Sequence, residues 1–343
     1  MKAVVVCPGR GTYGKGELGS LMRRHGGKPV LGAFEAVRVE AGQEALAALD
    51  GAAAYEMRHT RGDNASGLIY AMTVCDAQDL RGVDVVAVTG NSMGWYSALA
   101  VGGALDPVAG FRLSNGMGRL MQEALIGGQL VYPVVGEDWL PEPERKAAVL
   151  ARVAEIGARA GHVLALSIDL GGMLVLAGDT AGLAAFEAEM PKVGGFPLRL
   201  PNHAAFHSAL QAPVAARGQA AFGGLPWGQP RVPLIDGRGA IWWPGASDTD
   251  ALAKYTLGHQ VVEPYDFTRA ITVAAREFAP DVFIVTGPGT TLGGATAQAL
   301  IAANWRGMKD KAEFQTIQTR SRPVLVSMGR DDQRGIVTTG ETR

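Results

Sequence analysis

The sequence predicts an α/β fold, a mostly parallel sheet core into which a small ferredoxin-like domain is inserted. Three observations carry this. Apolar runs at 3–7, 83–90 and 281–287 are rich in β-branched residues and lead into glycine turns, as buried parallel strands do. Helix-like stretches at 41–49, 65–77 and 268–279 lie between them, and strands alternating with helices imply helices on both sheet faces. The segment 129–200 has a different rhythm, in the order β-α-β-β-α-β of a split ferredoxin-like unit.

Within that segment, "QLVYPVVG" reads as a strand and "PEPERKAAVLARVAEIGARAG" as a helix with proline in its first turn. "HVLALSIDL" and "GMLVLAGD" are strands joined at Gly171-Gly172, a hairpin signal. The helix "TAGLAAFEAEM" and the strand "FPLRL" complete the unit. The expected division is a large core from 1–127 and 201–305, a small domain at 128–200, and a C-terminal extension at 306–343. The polar ending "GRDDQRGIVTTGETR" lacks periodicity and is expected to be unstructured.

The 343 residues are 47% hydrophobic, enough for one large core or two modest ones. Lys and Arg total 32 against 33 Asp and Glu, which offers no electrostatic argument for nucleic acid or a membrane surface. No apolar stretch is long enough to span a membrane, and the N-terminal run is too short for a signal-peptide core, so a cytoplasmic location is expected. Cys7 and Cys75 are too few for a disulfide framework or a metal cluster.

The strongest local signal is "VDVVAVTGNSMGWYSALAVGGAL" at 83–105, where Gly90-Asn91-Ser92-Met93-Gly94 fits G-x-S-x-G between a strand and an alanine-rich helix. Such a turn needs glycine on both sides, exposes the serine hydroxyl, and sets helix N-terminal N–H groups beside it. A serine hydroxyl needs a base. Of six histidines, His203 and His207 lie where the chain re-enters the large domain, and an interdomain crevice is a natural site. Their i, i+4 spacing is also that of a metal pair, but the H-E-x-x-H glutamate is missing and Pro201 sets His203 in a turn, so no metal is expected. Gly9-Arg10-Gly11-Thr12-Tyr13-Gly14 fits G-x-G-x-x-G, yet Pro8 and Gly14, Gly16 and Gly19 make a poor helix start for a dinucleotide site.

Five segments in order resemble the malonyl-CoA:acyl-carrier-protein transacylase family: "VVVCPGRGTYGKG", "GNSMGWYSALAVGGALD", "GFRLSNGMGRLMQEA", "FHSALQAPV" and "VTGPGTTLGG". The resemblance covers about residues 3–300 and implies a hydrolase-like core. It further implies acyl transfer by a Ser92 acyl-enzyme with His207 as base, from acyl-CoA to the phosphopantetheine thiol of an acyl carrier protein, with no bound cofactor, in fatty-acid or polyketide biosynthesis. The family orients its histidine with a main-chain carbonyl, and the matching stretch "EPYDF" puts Asp266 near that role. The oxyanion falls to the Met93 N–H and a group of the first turn, around Arg10. Asn64, Asn91, Met117 and Phe206 are the expected pocket residues.

The departures bear on substrate. Arg10 stands for the family's first-turn glutamine, Asn91 for the histidine before its nucleophile, and Trp95 for the glutamate after its elbow. Met117 stands where an arginine pairs with the malonyl carboxylate, and Arg112 matches a different family arginine. A carboxylate buried beside methionine costs several kcal/mol. The acyl group is then neutral or bulkier, or its carboxylate is held by Arg10. A thioester hydrolase and a catalytically silent carrier-binding relative remain the competing readings.

Overall fold

The computed structural model describes residues 1–340. Six strands form the main sheet: β1 (Lys2–Cys7), β2 (Asp84–Gly90), β7 (Leu234–Ile235), β8 (Ile241–Trp242), β10 (Val282–Val285) and β11 (Leu325–Ser327). Their order is β11-β10-β1-β2-β7-β8, parallel except for the last pair. β1 lies inside this sheet, which is why "AVVVC" is apolar without alternation and wholly buried. The helices Gly62–Asp79 and Pro107–Ala124 pack closely on one another, Gly118 meeting the backbone of Gly62.

The inserted unit forms a second sheet from β3 (Gly128–Pro133), β4 (Leu164–Leu170), β5 (Met173–Gly178) and β6 (Leu198–Arg199). Helices Pro143–Gly157 and Thr180–Glu189 complete the β-α-β-β-α-β order. The strand order is β6-β3-β5-β4, antiparallel throughout. A two-residue strand of the large core, β9 (Tyr265–Asp266), adds in parallel beside β4 and joins the sheet to the core. The unit has its own apolar cluster, with Leu130, Leu174, Leu176 and Phe186 fully enclosed. "FPLRL" contributes only the two exposed residues of β6.

Three expectations are corrected. The helix expected at 41–49 begins at Leu46; its first N–H groups, from Leu46 and Ala47, donate to the Glu35 carboxylate at 2.8 Å each. Glu35 lies on a helix that periodicity did not reveal, Pro29–Glu40, rich in valine and interrupted by Gly32. Tertiary packing holds it, with Phe34 stacked on Phe111 at 4.5 Å between centroids. Third, the C-terminal stretch is integrated: β11 extends the main sheet and the supposedly unstructured ending forms the helix Asp331–Thr338. Arg334 on that helix pairs with the buried Asp76 and with Asp79, and Val337 is buried. A long-range ion pair of this kind leaves no periodic trace in sequence. The last three residues of the expected extension lie outside the described residues.

Among the described residues no helix is long and apolar enough to cross a membrane.

Candidate active site

Ser92 sits at the end of β2, just before the helix Gly94–Val101, with φ 55°. This left-handed conformation is uncommon for a non-glycine residue and marks a strained turn. The strain is imposed by close backbone packing. A Cβ on Gly94 would overlap the Cys7 carbonyl, one on Gly90 the backbone of Gly94, and one on Gly9 would sit 2.5 Å from the Asn91 carbonyl. The first turn is thereby pressed against the elbow.

The Ser92 Oγ lies 2.7 Å from His207 Nε2, and His207 Nδ1 lies 2.6 Å from the Gln260 carbonyl oxygen. A carbonyl only accepts, so Nδ1 carries the proton and Nε2 presents its lone pair to the serine hydroxyl. Serine is partly exposed while histidine is 3% exposed, so the hydroxyl can be reached and the imidazole is shielded. The Gln260 side chain also braces the elbow: its Nε2 donates to the Ser92 carbonyl at 3.1 Å and its Oε1 accepts from Tyr96 at 3.2 Å. Among the described residues, neither the Met93 nor the Arg10 backbone N–H has an acceptor. Met93 follows the serine directly, and Arg10 lines the same cleft.

Burial pushes His207 down to about 4, opposed in part by its bond to the Gln260 carbonyl. An imidazole can take the serine proton only with Nε2 unprotonated, so a lowered pKa extends that range towards acid. Labelling of Ser92 by a serine-directed electrophile is therefore expected to hold steady from about pH 8 to about pH 5 and to fall with a midpoint near 4. A midpoint at the ordinary histidine value, about 6.5, contradicts this placement of the base.

The cleft around the pair is narrow and lined by Arg10, Met93, Met121, Phe206 and Val261 among others. Arg10 Nη2 donates to the Thr60 and Asn202 carbonyls at 2.8 and 2.9 Å, and the guanidinium lies over the Phe206 ring at 5.2 Å. Its Nε is buried without a partner and, among the described residues, no carboxylate pairs with it. Burial lowers its pKa to about 10, with Asp63 opposing the shift.

Several expected residues stand elsewhere. Asp266 does not orient His207; its carboxylate accepts from the Arg269 N–H and caps the helix Phe267–Phe278. Gln260 takes that place through its main chain, for which no side-chain signature exists. Asn64 is no pocket residue: its Oδ1 accepts from the fully buried Arg38 at 2.8 Å and its Nδ2 donates to the Arg58 carbonyl. Met117 turns from the cleft and packs against the helix Ala212–Phe222, its sulfur 2.6 Å from where a Gly218 Cβ would be. The cleft-lining residues of its helix are instead Gly118 and Met121, the latter one turn further on. Arg112 pairs with Glu40 at 2.7 Å on the surface. Asn91 is buried beside the elbow, outside the cleft lining. His203 does not join His207 as a ligand pair; its Nδ1 donates to Gln129 Oε1 at 2.9 Å. Among the described residues, the one group with metal-ligating geometry is His25, Asp76 and Asp79, and Lys28 and Arg334 already neutralise it.

No protein-family model matches the chain. A malonyl CoA-acyl carrier protein transacylase of Salmonella typhimurium is 24% identical over 238 residues, 68% of this chain and 72% of that protein. Among solved structures, the malonyl-CoA:acyl carrier protein transacylase of Xanthomonas oryzae superimposes with a TM-score of 0.76 at 21% identity, covering 99% of this chain and 98% of that one. A malonyl-transacylase in complex with its type II polyketide-synthase acyl-carrier protein gives 0.76 at 20% identity, with 99% of each chain covered.

Proposed function

Because the chain is a divergent member of the malonyl-CoA:acyl-carrier-protein transacylase family, we propose that it is an acyltransferase working through a Ser92 acyl-enzyme. The observation that carries this is the unbroken chain from Ser92 Oγ through His207 to the Gln260 carbonyl, at 2.7 and 2.6 Å. Ser92 Oγ attacks the carbonyl carbon of an acyl-CoA thioester while His207 Nε2 takes its proton. The Met93 and Arg10 N–H groups hold the oxyanion. Collapse expels the CoA thiolate, which takes the proton from His207 and leaves an ester on Ser92. The phosphopantetheine thiol of an acyl carrier protein then attacks that ester, with His207 again as base, and departs acylated in fatty-acid or polyketide-type biosynthesis. Among the known neighbours, a transacylase bound to its carrier protein is the precedent for this partner.

The test is to load the protein from an acyl-CoA and chase with a phosphopantetheinylated carrier protein. Transfer puts the acyl mass on the carrier. Free acid released at the same rate with or without carrier makes the protein a hydrolase instead.

Arg10 bears on which acyl group is taken, since it is the cation that lines the cleft once Met117 is turned away. A hydrogen bond to a charged group contributes about 1.5–3 kcal/mol. Arg10→Ala is therefore expected to slow acylation by malonyl-CoA roughly ten- to hundredfold while changing acetyl-CoA less than about twofold. Unchanged selectivity in that variant removes Arg10 as a carboxylate partner.

A further inference from the structure

The inserted sheet reaches the base through a buried relay that the reaction chemistry does not use. Ser167 Oγ lies 2.8 Å from the Phe206 carbonyl oxygen and 2.6 Å from Gln129 Nε2, and Gln129 Oε1 lies 2.9 Å from His203 Nδ1. The directions follow from bonding capacity. The Phe206 carbonyl can only accept, so Ser167 spends its one hydrogen there and must accept from the Gln129 amide N–H. Gln129 Oε1 is then left to accept from His203. Every donor in the series points the same way, towards the peptide bond that precedes His207, and aligned chains of this kind strengthen one another.

Two features mark this as a built arrangement. Ser167 is the extra residue of a β-bulge: Leu166 and Ile168 face the consecutive residues Leu176 and Val175, and the strand register shifts between them. A bulge re-aims a side chain out of the ordinary alternation. Ser167 and Gln129 are also buried, at 0% and 3% exposure, in strands whose neighbours are apolar.

What the relay holds is a strained backbone. His207 has φ 56°, and rotation about that bond swings its side chain relative to the 206–207 peptide plane. That plane is gripped from both sides, its carbonyl by Ser167 of the inserted unit and its N–H by the Val261 carbonyl of the core at 3.1 Å.

We propose that Ser167 and Gln129 are positioning residues that lock His207 onto Ser92, making the catalytic pair depend on the inserted domain. The proposal rests on His207 being the base. Its role is indirect, since neither residue lines the cleft.

The test uses the full-length protein and a fluorophosphonate probe, whose capture by Ser92 needs no knowledge of the acyl group. Ser167→Ala is expected to lower the maximal labelling rate about tenfold, with the half-saturating probe concentration unchanged. Ser167→Thr, which keeps the hydroxyl, should restore it. In a His207→Ala background, Ser167→Ala should cost nothing further, because its effect passes through the imidazole. Gln129→Met, close in volume, should give a smaller loss of the same kind and serves if Ser167→Ala does not fold. Wild-type labelling by Ser167→Ala, or by Gln129→Met where that variant stands in, overturns the proposal. So does an equal loss with and without His207. Wild-type labelling by His207→Ala alone instead overturns the assignment of the base itself.

Discussion

Replacing His207 by alanine is expected to slow acylation of Ser92 by roughly 10²–10⁴-fold, the usual contribution of a positioned general base. The serine hydroxyl is essentially un-ionised near neutral pH, so attack on a thioester requires the proton to leave as the bond forms. Among the described residues, the imidazole is the group placed to take it, at 2.7 Å and in the tautomer that its bond to Gln260 enforces. The cleft retains Met93, Phe206 and the free N–H donors, so acyl-CoA binding should change little and the loss should fall on the chemical step. Single-turnover acylation followed by intact mass measures this. A loss confined to thioester affinity, with the maximal rate preserved, would mean that His207 serves binding and not proton transfer.

Gly94→Ala is expected to destabilise the fold by about 3 kcal/mol or more, at or beyond the top of the range for overpacking. The added methyl meets the carbonyls of Cys7 and Pro8, which are main chain and cannot rotate aside. Relief requires separating the end of β1 from the nucleophile turn, so activity should fall with stability. Gly16→Ala is the matched control, because a Cβ there meets nothing within 4 Å and no positive φ is required. Urea midpoints for the two variants should separate widely. Equal midpoints would mean that the elbow and first turn are not tightly packed.

The parts of this molecule legible from sequence are those in which residue type encodes the physics. β1, β2 and β10 are apolar because neighbours cover both faces, and the glycines of 90–94 report the close approach of two backbones. The Ser92–His207 proximity was also legible, through the motifs flanking each. What stayed hidden is work done by the main chain or by tertiary context. Gln260 acts through a carbonyl that any residue possesses. The family resemblance put Asn64 and Met117 at the cleft, but Asn64 is held by Arg38 and Met117 by the surface around Gly218. The helix Pro29–Glu40 has weak intrinsic propensity and is held by aromatic stacking.

In the proposed reaction Ser92 carries the acyl group. The direct measurement is intact-protein mass spectrometry after incubation with a panel of acyl-CoAs, malonyl and acetyl among them, beside Ser92→Ala. A single acyl adduct is expected on the wild-type chain, absent from the variant and discharged by thiol. An adduct that persists in Ser92→Ala, or none from any thioester on the folded wild type, would contradict it.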